Sequence, residues 1–228
     1  MRISYHGHSS VSVETRQNVR LLFDPFITDD QLTDLIIDDV TVDYILITHA
    51  YGNRLSDMIE IAKKNDATVI SNSEIVCLVK QHGVKNTQVM VEGSSCVFPF
   101  GRVKMVPAKH RSGYELDTST GCIGAPSGYI VECEGKTIYH AGDTSEFSEM
   151  KLIGDEFNID VAFLPIGDGH IMGPLEAAHA NELIRAKAVI PILFNTFPKT
   201  RQNPQIFVEL VTEGIGEVME IGEELELW

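Results

Sequence analysis

The segment Tyr44–Arg54 reads YILITHAYGNR and passes from a short apolar run into a polar loop that contains His49. The next ten residues, LSDMIEIAKK, carry apolar side chains at helical spacing and end in two lysines, which suit the negative end of a helix dipole. The apolar run is typical of a buried strand. A strand, a polar loop and a helix in this order predict an α/β fold with ligand-binding residues at the carboxyl end of a strand.

The same arrangement recurs further along the chain. Three more apolar runs end in polar residues, and the polar residues that follow them include His110, His140 with Asp143, and Asp168 with His170. One histidine after a strand is most often structural, but four such strand ends favour a common site. We therefore expect these loops to meet at one edge of the fold.

The order of elements is compatible with two architectures. Early apolar runs near residues 3–5, 11–13 and 21–23 predict a meander of antiparallel strands, and strand–helix units follow, with helices predicted over 73–82, 174–186 and 204–212. Two sheets with helices on their outer faces fit this order, and so does a single mixed sheet. The absence of a linker-like stretch predicts one domain over residues 1–228.

Composition narrows the class of protein. The chain has 228 residues and a formal net charge of −15, which argues against nucleic acid as the main ligand. The N-terminal residues lack the apolar core of a signal peptide, and no apolar run is long enough to cross a membrane. Four cysteines without a C-x-x-C pair predict free thiols in the core and a reducing, cytoplasmic location. A homo-oligomer is compatible with these data.

Seven motifs stand out along the chain: YHGHS at 5–9, FDPF at 23–26, ITH at 47–49, HAGDT at 140–144, FLPIGD at 163–168, MGP at 172–174 and NTFP at 195–198. They resemble motifs of the small bacterial metal-dependent hydrolases of the metallo-β-lactamase superfamily, in the branch related to ascorbate-phosphate lactonase. The resemblance covers nearly the whole chain. It implies a four-layer αββα sandwich with a dinuclear site, often zinc or manganese, that hydrolyses its substrate.

The resemblance also implies a set of metal ligands, and this chain keeps fewer than half of them. The family supplies an H-x-H-x-D-H loop, a later His, a bridging Asp and a final His. Three ligands remain, His49, His110 and Asp143, and four are replaced, by Tyr51, Asn53, Arg54 and Leu193. Two His and one carboxylate can hold one metal ion with open positions. We therefore expect no metal or one divalent ion, zinc or manganese.

Three functions are compatible with this set of ligands. The first is a catalytically impaired or inactive relative of the dinuclear hydrolases. The second is a working mononuclear hydrolase of a small anionic ester or lactone, with His49, His110 and Asp143 as catalytic residues. The third is a non-catalytic ligand-binding or interaction protein.

The remaining polar residues give further expectations. His8, Tyr51, Arg54 and His170 are candidate substrate-binding residues, and a small anionic molecule is the candidate ligand. His6 and His8 alternate as they would on a strand, so both are predicted to point to one face. Asp143 without metals needs a cation nearby, which predicts an Arg54–Asp143 ion pair, with Lys109 or Arg111 as second choices.

Overall fold

The computed structural model describes residues 1–30, 32–51, 54–116, 119–212 and 214–228, and only the backbone of residues 54, 114–116 and 119–122. The described residues form fifteen strands, five α-helices and one short 3₁₀ helix at Pro198–Thr200. In chain order the elements are β1 (Arg2–Tyr5), β2 (Val11–Glu14), β3 (Arg20–Phe23), β4 (Tyr44–Leu46), α1 (Arg54–Asn65), β5 (Thr68–Ser71), α2 (Ser73–Gln81), β6 (Thr87–Val89), β7 (Ser95–Phe98), β8 (Gly101–Pro107), β9 (Gly113–Leu116), β10 (Ser119–Cys122), β11 (Ser127–Cys133), β12 (Lys136–His140), α3 (Met150–Glu156), β13 (Val161–Pro165), α4 (Pro174–Ile184), β14 (Val189–Ile192), α5 (Pro204–Leu210) and β15 (Glu224–Glu226).

Two mixed sheets carry the fold. The first has seven strands in the order β15-β1-β2-β3-β4-β5-β6, and the second has six in the order β14-β13-β12-β11-β8-β7. The first sheet is antiparallel from β15 to β3 and parallel from β3 to β6. Strand β15 pairs with β1, so that Arg2 lies opposite Glu226 at the edge of the sheet. Strands β9 and β10 form a separate hairpin.

Three apolar clusters show how the layers stack. The central cluster joins inward side chains of both sheets, such as Phe23 from β3 and Phe163 from β13. A second cluster packs α3, α4 and α5 on the outer face of the six-stranded sheet, and a third packs α1 and α2 on the seven-stranded sheet. The αββα prediction is confirmed, and the single mixed sheet is excluded.

Helix α3 was absent from the elements predicted from sequence. Its sequence, MKLIGDE, is short and contains Gly154, a residue that disfavours helix. The glycine is needed for packing, because a Cβ atom there would lie 2.3 Å from the carbonyl oxygen of Leu183 in α4. The close contact between the two helices therefore outweighs local helix propensity.

Two further expectations concern thiols and membranes. Cys133 is buried, but Cys77 is exposed, so the prediction of core thiols is wrong for Cys77, which lies on the outer side of α2. None of the described helices combines the length and the apolar character that a bilayer-spanning helix requires.

Candidate metal centre

Three loops bring His49, His110 and Asp143 together at one edge of the sandwich. His49 follows β4, His110 follows β8 and Asp143 follows β12, as the strand-end argument predicts. One potential ligand atom from each side chain lies within 4.8 Å of those of the other two. His49 and Asp143 are buried, whereas the loop that carries His110 is closer to solvent.

Asp143 lies between the two imidazoles. Its Oδ2 is 3.5 Å from Nε2 of His49 and 3.7 Å from Nε2 of His110. Both distances exceed the ~2.7–3.2 Å of an N–H···O hydrogen bond. Two ligand atoms of a tetrahedral zinc ion, each ~2.0–2.1 Å from the metal, are about 3.3–3.4 Å apart. The observed separations are therefore close to those of ligands that share one metal ion, and the three residues fit such an ion.

The orientation of His49 is set by a buried hydrogen-bond relay. The Thr48 hydroxyl donates a hydrogen bond to Oδ2 of Asp24 at 2.6 Å, so its oxygen accepts a hydrogen bond from Nδ1 of His49 at 2.9 Å. The backbone N–H of Thr48 donates to Oδ1 of Asp24 at 2.8 Å. With its proton on Nδ1, His49 presents the Nε2 lone pair to the site.

His110 is oriented in a similar way by a backbone group. Its Nδ1 lies 3.0 Å from the carbonyl oxygen of His170, which can only accept a hydrogen bond, so Nδ1 carries the proton. The imidazole planes of His49 and His110 are almost perpendicular, with centroids 5.4 Å apart. Both Nε2 lone pairs therefore face the same carboxylate oxygen, an arrangement that a cation between them stabilises.

Glycine at 142 allows the two sides of the site to approach closely. Gly142 has a φ of 66°, and a Cβ atom there would lie 2.9 Å from Cβ of Thr48 and 3.0 Å from the carbonyl oxygen of Ser127. Gly142, which precedes Asp143, thus packs directly against Thr48, which precedes His49. Any larger side chain would push Asp143 away from the histidines.

Burial shifts the pKa of two groups behind the site. Burial raises the pKa of Asp24 to about 6, although the nearby His49 and the hydrogen bonds from Thr48 act in the opposite direction. Burial also lowers the pKa of His140 to about 4. His140 is held as a neutral structural residue: it stacks on Phe23 at 5.0 Å and its Nε2 donates to the carbonyl of Ser9 at 2.9 Å.

The candidate substrate-binding residues occupy different positions around the site. Tyr51 is half exposed, and its ring centroid is 6.2 Å from that of His49. The His170 side chain is exposed, and the group that reaches the site is its carbonyl. His8 is buried, with Nδ1 3.0 Å from Oγ1 of Thr196. Their role in substrate binding stays a prediction.

The strand prediction for His6 and His8 is wrong. Strand β1 ends at Tyr5, and Gly7 and His8 both have positive φ angles, of 95° and 46°. The turn is closed by a hydrogen bond from the N–H of Ser10 to the carbonyl of Gly7 at 2.8 Å. The two histidines therefore point in different directions, His8 toward Thr196 and His6 away from it.

The replaced ligands are described in part. Leu193, at the position of the final His, is buried in the central core, and its N–H donates to the carbonyl of His8 at 2.7 Å. Asn53 and the side chain of Arg54 lie outside the described residues, and with them the predicted Arg54–Asp143 ion pair. Lys109, a second choice for that pair, is 3.8 Å from Glu149 instead.

Two residues that position the ligands, Thr48 and His170, were not predicted to act in this way. A hydroxyl that links a histidine to a buried carboxylate has no characteristic spacing in sequence. The carbonyl of His170 is a backbone group, which every residue type supplies. The ITH and FDPF motifs could have indicated the Thr48–Asp24 contact, because both follow neighbouring strands of the same sheet.

Comparison with known proteins places this site in a family. The family described as "Beta-lactamase superfamily domain" matches residues 2–193. A protein of a Geobacillus species and one of Anoxybacillus flavithermus, both named UPF0173 metal-dependent hydrolase, are each 49% identical over 228 residues, covering 100% of both chains. A metallo hydrolase from the archaeon Ignicoccus hospitalis has a solved structure that is similar with a TM-score of 0.86 and 32% identity, over 100% of this chain and 99% of that one. The chain therefore belongs to the metallo-β-lactamase superfamily, together with its metal-dependent hydrolase relatives.

Proposed function

We propose that this protein binds a single divalent metal ion through His49, His110 and Asp143, and that it is impaired as a dinuclear hydrolase. The observation that carries the proposal is the convergence of the three ligand atoms within 4.8 Å. Among the residues whose side chains are described, this is the one cluster of His, Cys, Asp or Glu with such geometry. Leu193 supports the loss of the second ion, because an apolar side chain in the core offers it no ligand.

Any hydrolytic activity that remains is that of a mononuclear site. A bound divalent ion lowers the pKa of water to near neutrality and polarises a carbonyl or phosphoryl group. His49 and His110 contribute neutral nitrogen ligands, and the Asp143 carboxylate offsets part of the charge of the ion. The relay through Thr48 keeps the His49 ring fixed, which limits the cost of ordering the site when the ion binds.

The proposed substrate class is a small anionic ester or lactone. A site with one divalent cation, two neutral imidazoles and one carboxylate has a net positive charge, and exposed Arg111 lies next to His110. Tyr51, half exposed beside His49, can contact a substrate through its hydroxyl. Binding of such an anion without hydrolysis is the alternative outcome of the same proposal, and it would make the protein a ligand-binding relative of the hydrolases.

Metal content tests the first part of the proposal. The purified protein is stripped with a chelator and dialysed against zinc or manganese, and bound metal is measured by elemental mass spectrometry. We expect close to one equivalent per chain, lost in Asp143→Asn and kept in the matched control Asp168→Asn, which changes a carboxylate in the loop after β13. Two equivalents in the unmodified protein would contradict the proposal.

Hydrolysis tests the second part. A panel of anionic esters and lactones should show weak turnover that requires added metal and disappears in Asp143→Asn. A panel without turnover, combined with one bound metal ion, would favour anion binding alone.

Restoration of the lost ligands tests the reason for the impairment. We expect the four-fold variant Tyr51→His, Asn53→Asp, Arg54→His and Leu193→His to bind a second metal equivalent and to gain activity. If the variant binds no more metal than the unmodified chain, the shape of the site rather than its ligands prevents dinuclear binding.

A further inference from the structure

A second group of side chains with catalytic geometry lies outside the metal centre. Nε2 of His6 is 2.8 Å from Oγ of Ser12, and Nδ1 of His6 is 2.9 Å from Oδ1 of Asp34. A serine, a histidine and an aspartate linked in this order form the nucleophile, base and orienting group of many acyl-transfer enzymes. The three residues come from β2, from the turn after β1 and from the segment between β3 and β4.

The hydrogen bonds define the proton positions that such a mechanism needs. An ionised carboxylate only accepts hydrogen bonds, so Nδ1 of His6 carries a proton and donates a hydrogen bond to Asp34. In the neutral imidazole, Nε2 of His6 has a lone pair that accepts a hydrogen bond from the Ser12 hydroxyl. The backbone N–H of His6 donates to the carbonyl of Ser10 at 2.9 Å, which fixes the start of the turn from which the imidazole projects.

The position of Ser12 separates this group from the metal centre. Its neighbours Val11 and Val13 belong to the core between the sheets, and alternate residues of a strand point to opposite faces. The Ser12 hydroxyl therefore lies on the outer face of the seven-stranded sheet. The His6 side chain is 11% exposed and that of Asp34 is 39% exposed, so the imidazole is enclosed while the carboxylate is reached by water.

A cavity gives access to the hydroxyl. It has a volume of about 390 Å³ and is lined by His6 and Ser12 together with Leu35, Val40, Glu14 and Asp39. This volume is within the range of small-molecule sites, roughly 300–1,000 Å³. The apolar part suits a short acyl chain. The lining also holds Arg20, which is 3.8 Å from Glu14, so two carboxylates face one guanidinium and the net negative charge disfavours an anionic ligand.

We propose that Ser12, His6 and Asp34 form a second, metal-independent site that hydrolyses uncharged short-chain carboxylic esters. Ser12 Oγ bonds to the ester carbonyl carbon as its proton passes to Nε2 of His6, and the alcohol leaves with that proton. Water then attacks the acyl-serine, gives one proton back through His6 to Ser12, and releases the carboxylic acid. Asp34 is a positioning residue, since it holds the His6 ring and touches no substrate.

Covalent labelling of the full-length protein tests the proposal. A fluorophosphonate probe is added in the presence of a chelator, and the product is examined by intact mass and peptide mapping. We expect one probe per chain on Ser12, lost in Ser12→Ala and unchanged in Ser4→Ala, the matched control whose serine lies opposite Ser12 on β1. Asp143→Asn should label at the normal rate, which separates this site from the metal centre.

Labelling and hydrolysis rates of variants distinguish a catalytic His6 from one that only links the sheet to the segment carrying Asp34. We expect His6→Gln to lower the labelling rate and the hydrolysis of p-nitrophenyl butyrate by ~100-fold or more, the usual contribution of a general base. Asp34→Asn should lower the labelling rate about tenfold or more without changing the final stoichiometry, and Asp34→Glu should recover part of the rate.

One further variant keeps the proposal testable if Ser12→Ala does not fold. Ser12→Cys should react with iodoacetamide faster than Ser4→Cys, because His6 favours the thiolate. Equal rates for the two cysteines, or no probe on Ser12 in the unmodified protein, would overturn the proposal and leave His6 as a tether between the sheet and the segment that carries Asp34.

Discussion

Replacement of Thr48 by valine isolates the role of the buried relay behind His49. Valine has nearly the shape of threonine, so Thr48→Val removes two hydrogen bonds and leaves little empty space. Thr48 and Asp24 are 0% and 1% exposed, so water cannot replace the lost partner of either Asp24 or His49. A hydrogen bond to a charged group contributes ~1.5–3 kcal/mol, and we expect the metal-free variant to lose about 2–3 kcal/mol of unfolding free energy.

The effect on metal binding follows from the freedom that the imidazole gains. In Thr48→Val, Nδ1 of His49 no longer has the hydroxyl as an acceptor, and the ring can rotate or change tautomer. Loss of an orienting partner typically lowers metal affinity ~10–100-fold. Calorimetric titration of stripped protein with zinc measures this directly, and urea unfolding measures the stability.

Two variants serve as controls. Thr48→Ser keeps the hydroxyl and should keep most of the affinity. Ser71→Ala removes a buried hydroxyl that donates to the carbonyl of Ile47 at 2.8 Å, so it should lower stability by ~1 kcal/mol without changing the affinity for zinc. Zinc affinity in Thr48→Val equal to that of the unmodified protein would refute the relay as the group that orients His49.

Three further predictions concern the framework of the site. Gly142→Ala places a Cβ atom 2.9 Å from that of Thr48 at a φ of 66°, and should lower unfolding free energy by ~2–3 kcal/mol in a urea titration and weaken zinc binding. The folded pKa of His140 is about 4, below the usual 6.5, so the unfolded state takes up its proton first as the pH falls. The contribution of His140 to stability is therefore lost from pH 6.5 down to pH 4, by on the order of 3 kcal/mol, whereas the raised pKa of Asp24 acts in the opposite direction over this range. The His140 contribution is the difference between unfolding curves of the unmodified protein and of His140→Gln, and the difference should grow as the pH rises from 4 to 6.5. Phe207→Ala, in the cluster beneath α5, should cost ~3–5 kcal/mol in the same assay without altering the metal stoichiometry, and a changed stoichiometry would show that the outer cluster is coupled to the site.

The sequence was informative about the fold where hydrophobic patterns are local. Strands such as β4 and β13 are continuous apolar runs between polar residues, and the helices α1 and α2 have clear apolar faces, so all four were predicted. Helix α3 was missed because its glycine satisfies a contact with α4 that no local pattern contains. The arrangement of the strands in two sheets came from family resemblance, since strand order depends on contacts between distant residues.

The positions of the three metal ligands could be predicted because each ligand follows the end of a strand. His49, His110 and Asp143 each follow a strand, and parallel strands and their neighbours present such loops at one edge. Behind them, the acceptor for His110 was not predictable because it is a backbone carbonyl, whereas the Thr48–Asp24 contact behind His49 was open to prediction from the ITH and FDPF motifs. The His6–Ser12–Asp34 contacts depend on a turn that ends the strand at Tyr5. The expectation that His6 and His8 lie on one strand and point to one face therefore could not predict these contacts.

The pairing of β15 with β1 has a consequence for biosynthesis. The backbone contact between Met1 and Leu227 joins residues 226 positions apart, so the seven-stranded sheet cannot be completed until β15 has been synthesised and has emerged from the ribosome. Until then, β1 is an edge strand with free N–H and C=O groups, which invites pairing with the edge strand of another chain. We expect nascent or C-terminally shortened chains to depend on chaperones at this edge, however stable the other strands of the sheet are.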